Sequence, residues 1–294
     1  MLANLLLGDI VVSSLVLSGA YILLGLSWVV IFRATRVLNL AVGQFMALGA
    51  YMAFTFLVDF KLPFAVAILL ALLSIALFAG LTFHFFVRPL HGQPHFVVVV
   101  LTIGWSIVIG GAISIIWGPD LHVLPQPVPD TVYPLAFGAR LSTYGAATVV
   151  VAIVIATALI AFFRFSKLGI RMRAAAELPV LASQSGVNIT VLFFIAWALA
   201  GICTTFAGIS FGYTNVVSPS VAQIGLRGLT PALIGGFESL PGTILGAVIL
   251  AFVETVGVRL LGGEAEDAVV AAVLLLFLMI RPTGVFGAAE VRRV

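Results

Sequence analysis

The chain has 294 residues, 62% of them hydrophobic and only 9% charged, with a formal net charge of +3. Its mean hydropathy of +1.26 lies far from the balance of a soluble domain, so the soluble two-domain protein that length alone would allow is excluded. The cations sit at the borders of apolar runs, which speaks for basic loops rather than nucleic-acid binding.

In chain order, the opening MLANLLLGDIVV lacks a basic n-region and a small-residue cleavage site. It reads as the approach to a first span, not a removed signal peptide. A helix needs roughly 20 mostly apolar residues to cross the hydrocarbon core. Runs of that kind are Ile10–Phe32, Leu38–Val58, Pro63–Val87, Phe96–Trp117, Tyr144–Phe163 and Thr190–Tyr213, with a last one at Val269–Ile280 and its N-terminal flank. The expected fold class is all-α: a polytopic membrane protein of about eight transmembrane helices plus short broken or re-entrant helices, forming one domain over residues 1–294.

Positive charge beside a span marks the cytoplasmic face. With the N-terminus outside, Arg33, Arg36, Arg88 and the central group Arg164, Lys167, Arg171 and Arg173 all fall inside. Gly118–Ser142, with Asp120, Asp130 and several prolines, becomes an external loop. Arg281, Arg292 and Arg293 also belong inside, which a simple count of spans does not give. Two short helices, about Ser220–Gly236 and Pro241–Val258, repair the count by passing in and back out, as complete short spans or as a re-entrant pair. Broken helices at membrane depth need protein or a water-filled cavity around them. Gly235, Gly236 and Pro241 therefore mark either a broken element beside a pathway or a tight turn between two crossing helices.

The stretch 164–188 is a basic, helix-capable cytoplasmic loop in a chain with no soluble domain, and it suggests a docking surface. Pro179 suits a first helical position, where its missing N–H costs nothing, and Gly186 suits the position just past a helix end. The spacing predicts a short helix over Pro179–Ser185, offering Val180, Leu181 and Gln184 to a partner or, alternatively, lying on lipid headgroups.

Within the spans, Gly43, Gly49 and Ala53 allow close backbone approach. Asn39 and Gln44 carry amides that hydrocarbon penalises, either as pathway lining or as interhelical hydrogen bonds. Gly242 and Gly246 form a GxxxG pattern suited to packing within the subunit or between subunits. Glu254 is rare enough in an apolar run to suggest function, or it pairs with Arg259 or Arg227; Glu238 suits an aqueous turn. His84, His91, His95 and His122 form no ligand-like cluster, and no phosphate-binding loop is present. The single cysteine, Cys203, leaves no internal disulfide or cysteine-based zinc site. The chain is expected to be no enzyme, with no metal, cofactor or catalytic residue of its own.

At GIRMRAAAELPVLASQSGVN the sequence resembles the coupling region of permease subunits of the branched-chain amino-acid ABC importers, the LivH type. Gly169, Arg173, Ala174, Ala176, Glu177, Ala182, Gly186, Val187 and Asn188 occupy that pattern's places. Arg36–Phe54, Leu233–Gly257 and the end RPTGVFGAAEVRRV are similar to three further motifs of the family, in order. There are departures: Val42 and Gln44 stand where the family commonly has histidine and glutamate, Glu238 stands where glycine is usual, and Pro231 is unusual. The resemblance implies an inner-membrane permease working by alternating access. A second permease of the LivM type, a pair of ATPase subunits using ATP and Mg, and a periplasmic solute-binding protein would be its partners. It implies coupling to the ATPase through Arg173, Glu177, Pro179, Val180, Leu181, Ala182 and Gly186. Asn39, Gly43, Gln44, Gly235, Gly236, Pro241, Gly242 and Glu254 are the candidates for pathway or helix packing. Small aliphatic amino acids are the expected solute, with urea, short amides or small carboxylates as alternatives. An ion-coupled secondary transporter using Glu254, or a passive facilitator, are the rival mechanisms.

Overall fold

The computed structural model describes residues 2–90, 92–135, 138–281 and 283–287. Helices account for nearly all of it, because apolar residues cover every side of the long runs and leave no polar face for water. In order these are α1 (Leu2–Thr35), α2 (Val42–Phe54), α3 (Phe64–Thr82), α4 (His95–Trp117), α5 (Thr143–Phe165), α6 (Lys167–Glu177), α7 (Pro179–Gln184), α8 (Ile189–Thr214), α9 (Val221–Arg227), α10 (Leu229–Gly235), α11 (Leu240–Leu261) and α12 (Glu266–Ile280). α2 and α3 each continue into a π-helical turn, Thr55–Asp59 and Phe83–Val87. Among the described residues, seven helices are long and apolar enough to cross a membrane. α12, at 15 residues, is shorter.

α1 is the central post, packed on by α5, α8 and α11, and Leu23, Leu24, Leu26, Val29 and Val30 on it are fully buried. α8 is the second post. A Cβ at Gly201 would meet the Ile75 carbonyl at 2.8 Å, and one at Gly49 would meet the Thr205 backbone at 2.8 Å. These contacts let α2, α3 and α8 approach backbone to backbone, as small residues do in membrane bundles. The expected span from Leu38 starts later, at Val42. Asn39 Oδ1 accepts a hydrogen bond from the Ala41 N–H at 3.0 Å, a local turn that competes with helix.

The loop 118–142 contains a small antiparallel hairpin, β1 (Val132–Pro134) with β2 (Arg140–Ser142). Its neighbour His122 pairs with Val217 through reciprocal backbone bonds of 2.9 and 2.8 Å. At the opposite end Arg36 forms an ion pair with Glu238. Beside it the Val285 and Phe286 N–H groups bond to the Ile234 and Gly235 carbonyls at 2.8 and 3.2 Å. The chain therefore runs from the hairpin end at Val217 to the Arg36 end at Glu238, back along α11, and returns along α12.

This arrangement decides between the alternatives left open for the C-terminal region. Pro241–Val258 lies in one complete helix, α11. The broken element is the one before it, and its break is at Gly228, not at Gly235, Gly236 or Pro241. Pro231 has no N–H to give the Arg227 carbonyl and its ring would clash there, so α9 ends and α10 begins anew. Gly235 and Gly236 instead form the tight turn into α11, with Gly236 at φ +93°. Pro241 lies in the first turn of α11, where proline costs little. Arg281 ends α12 at the Arg36 end; Arg292 and Arg293 lie outside the described residues.

Candidate functional site

Two groups of residues stand out by geometry. The first is the basic end of α5–α8. α5 extends through Arg164 to Phe165, and Ser166 caps the next helix by accepting the Gly169 N–H at 2.9 Å. The stretch expected as a single helix-capable loop is thus two helices, α6 and α7. α6 buries Gly169, Met172 and Ala175 and exposes Arg171 and Glu177. Arg173 is only half-exposed, and its Nε is buried without a partner among the described residues.

α7 begins with Pro179 at its first turn and is followed by Gly186 at φ +78°. It ends at Gln184, one residue short of the expected Ser185. Ala182 is buried against the bundle at 8% exposure, while Leu181 projects outward at 55%. The side chains of Pro179 and Val180 lie outside the described residues. Behind α7 is a cavity of about 500 Å³ bordered by Thr35, Phe83, Arg88, Gln184, Thr190 and Phe193. No periodicity signalled it, because its walls come from four separated segments.

The second group surrounds the broken element. Gly235 of α10 and Gly242 of α11 meet backbone to backbone, and Gly246 lies against the Pro231 carbonyl. The GxxxG pattern thus packs within this chain. Ser239 caps α11, accepting the Gly242 N–H at 3.0 Å. Gly43 of α2 sits against Ala222 and Gly225 of α9, which makes it a packing residue. Gln44 is half-exposed, its Nε2 3.1 Å from where a Cβ on Gly110 of α4 would stand.

Glu254 is 2% exposed. It accepts a hydrogen bond from the Tyr21 hydroxyl at 2.7 Å, and its nearest cation is Arg227 at 3.6 Å; α11's own Arg259 is not the partner. Arg227 also pairs with Glu266, and with Asp267 at 2.7 Å. One guanidinium thus ties the end of α9 to α11 and to the start of α12. Of the two partners the sequence offered for Glu254, Arg227 is the one found; Tyr21, Glu266 and Asp267 as the other members of this clasp escaped the sequence reading. The available signal was a lone arginine between two glycines in an apolar stretch.

Residues 10–278 match the family described as "Branched-chain amino acid transport system / permease component". The chain is 27% identical to the high-affinity branched-chain amino acid transport system permease protein BraD of Pseudomonas aeruginosa, over 96% of each chain. It is 25% identical to the permease protein LivH of Escherichia coli, over 95% of this chain and 94% of that one. A more distant likeness, 25% identical over 79% of this chain and 66% of the other, is to the fructose import permease protein FrcC of Rhizobium meliloti. In fold it is similar to PsaBC from Streptococcus pneumoniae in complex with Fab, with a TM-score of 0.52 at 14% identity over 96% of this chain and 97% of that one.

Proposed function

The chain belongs to the branched-chain amino acid transport system permease family, and from that premise we propose that it is the membrane permease of an ATP-driven importer of branched-chain or other small amino acids in the bacterial inner membrane. Its partners would be a second permease, a pair of ATPase subunits that bind ATP and Mg, and a periplasmic solute-binding protein. This chain supplies the route and no hydrolysis.

The observation that carries the coupling half of this reading is α7. It is a short helix at the basic end, anchored by buried Ala182, with the apolar Leu181 turned outward. An exposed leucine on a rigid helix seats in a groove of another subunit by burying apolar area. Gly186, at φ +78°, turns the chain out of α7, and Arg173 and Glu177 lie on α6 just before it. Closure of the ATPase dimer would push α7, and α6 and α8 would carry that push to α1, α2 and α5, on which they pack.

Ion-coupled transport is less well supported. The one deeply buried carboxylate among the described residues, Glu254, is engaged by Tyr21 and Arg227 and is committed to holding helices together. Among the candidates for path or packing, Asn39, Gly43, Gly235, Gly236, Pro241, Gly242 and Glu254 serve packing and turns, which leaves Gln44 for the path. Reconstitution with the ATPase subunits and binding protein tests the reading. Leucine uptake should require ATP and stop with vanadate; uptake driven by an ion gradient without ATPase subunits would overturn it.

A further inference from the structure

We propose that the cavity behind α7 is a lipid site. It takes an anionic phospholipid, with an acyl chain in its apolar depth and the phosphate at Arg88. That the lipid braces α7 for coupling rests on the permease reading above; the site itself rests on the cavity.

The cavity measures about 500 Å³, within the roughly 300–1,000 Å³ of ligand sites, and its lining changes with depth. α3 reaches the basic end through the π-helical turn Phe83–Val87 and Arg88, and α8 starts there at Ile189. Arg88 and Thr190 therefore stand at the mouth. Phe83 and Phe193, their rings 5.8 Å apart, line it about one helical turn deeper toward the bilayer centre. Ser183 and Gln184 of α7 form the wall on that helix's side. A second cavity of about 360 Å³ shares Arg88 and Thr190 with the first and adds His84, Val191 and Phe194. Val191 is 48% exposed, and so are Leu81 at 37% and Phe85 at 63%, one turn before His84 and Arg88. These apolar residues belong to the spans Phe64–Leu90 and Ile189–Thr214, so the double cavity opens toward the bilayer.

Charge decides what fills it. Arg36 and Arg227 each have an acidic partner, whereas no carboxylate among the described residues pairs with Arg88. A guanidinium stays charged and its planar fork matches phosphate. The lining holds no carboxylate either, so a solute carrying an ammonium would leave it unpaired, which sets this site apart from a path for amino acids. Walls of Phe83, Val87 and Phe193 give water too few partners. A phospholipid suits both halves. Its chain passes from bilayer hydrocarbon to protein hydrocarbon with little gain, since lipid tails are as apolar as the side chains. Preference among lipids then falls to the headgroup. A phosphate with no ammonium of its own answers Arg88, while one that carries choline is already neutralised. The permease reading puts this end in the cytoplasmic leaflet, where anionic lipids attract basic residues. Seated there, the lipid fills the space behind Ser183 and Gln184 and backs α7 while Leu181 points outward.

The test uses the assembled transporter, delipidated in detergent and titrated with phosphatidylglycerol or phosphatidylcholine of identical chains. Native mass spectrometry counts the bound lipid. Phosphatidylglycerol should bind about fivefold more tightly at the first site filled, the size expected of one basic residue meeting an anionic lipid. Arg88→Gln should erase that preference and Arg88→Lys should keep it. Arg171→Gln removes an exposed cation at the same end but outside the cavity, and should leave the preference intact. Thr190→Trp, which fills the shared mouth, should weaken binding of both lipids. In reconstituted vesicles phosphatidylglycerol should raise ATP-driven leucine uptake several-fold in the parent and little in Arg88→Gln. Equal binding of the two lipids by the parent, or a preference that survives Arg88→Gln, overturns the lipid site and leaves the permease reading standing. Displacement of phosphatidylglycerol by inorganic phosphate or glycerol phosphate would make the site one for a soluble anion, which also overturns it. Preferential binding with uptake indifferent to the lipid overturns the bracing of α7. A parent complex that imports nothing with ATP present counts against the permease reading, while the lipid preference still decides the site.

Discussion

The region of α9, α10 and α11 and the region of α6 and α7 are both short-helix elements, yet they are built on opposite principles. In the first, glycines face glycines, a proline sets the break, and Arg227 closes the assembly on three carboxylates. In the second, two short helices are held by a serine cap and a few buried side chains, Met172, Ala175 and Ala182, and an apolar residue is left facing outward. Close backbone packing leaves no room to adjust, so the first region is a rigid one. Sparse anchoring and an exposed knob suit the second to be pushed by something outside the chain. The difference shows in what a single substitution does to each.

The largest effect is expected at Gly235. A side chain there overlaps the Gly242 backbone, which cannot move as a rotamer can. Gly235→Leu should cost more than about 3 kcal/mol, the upper end of ordinary overpacking, and should abolish recovery of a monodisperse protein on size-exclusion chromatography. A normal elution profile would mean that α10 and α11 do not pack as described. Next comes Arg227→Gln, which leaves the buried Glu254 without its cation. Breaking a buried pair from one side costs about 3–5 kcal/mol. The lower end applies here, since Glu266 and Asp267 keep much of their exposure, and thermal unfolding in detergent would read the loss.

Glu254→Gln should be milder, about 1 kcal/mol, because the amide oxygen still accepts from Tyr21. ATP-driven uptake should persist in that variant. Complete loss of uptake in an assembled complex, with altered pH dependence, would instead support ion coupling through this residue. The smallest effect belongs to Val248, which faces outward at 45% exposure. Val248→Leu should leave stability within about 0.5 kcal/mol, as surface changes usually do, unless that face is covered by another subunit.

Much of this contrast was legible in the sequence, and for physical reasons. Span length is a local property, so the long helices could be read directly. Pro179 and Gly186 bracket α7 because each acts on its own backbone. Glycine pairs signal turns and breaks alike, so Gly235 and Gly236 left a tight turn and a broken element equally open; only the missing N–H of Pro231, opposite the Arg227 carbonyl, puts the break at Gly228. The clasp was only half visible. Glu254 stood out as a charge in an apolar run, but Tyr21 lies 233 positions away, and no local pattern reports such a pair.

We propose α7 as the element through which this permease is driven, and Leu181→Asp tests that role most directly. Leu181 is already exposed within the chain, so the substitution should leave insertion, elution profile and thermal stability unchanged. It places a charge in the apolar groove that would receive the helix, and an uncompensated charge there is costly enough to separate the subunits. The account predicts an intact permease that loses its ATPase subunits on affinity purification and its ATP-driven leucine uptake, with Arg171→Gln much closer to wild type. A Leu181→Asp permease that retains both the ATPase subunits and full uptake would contradict it.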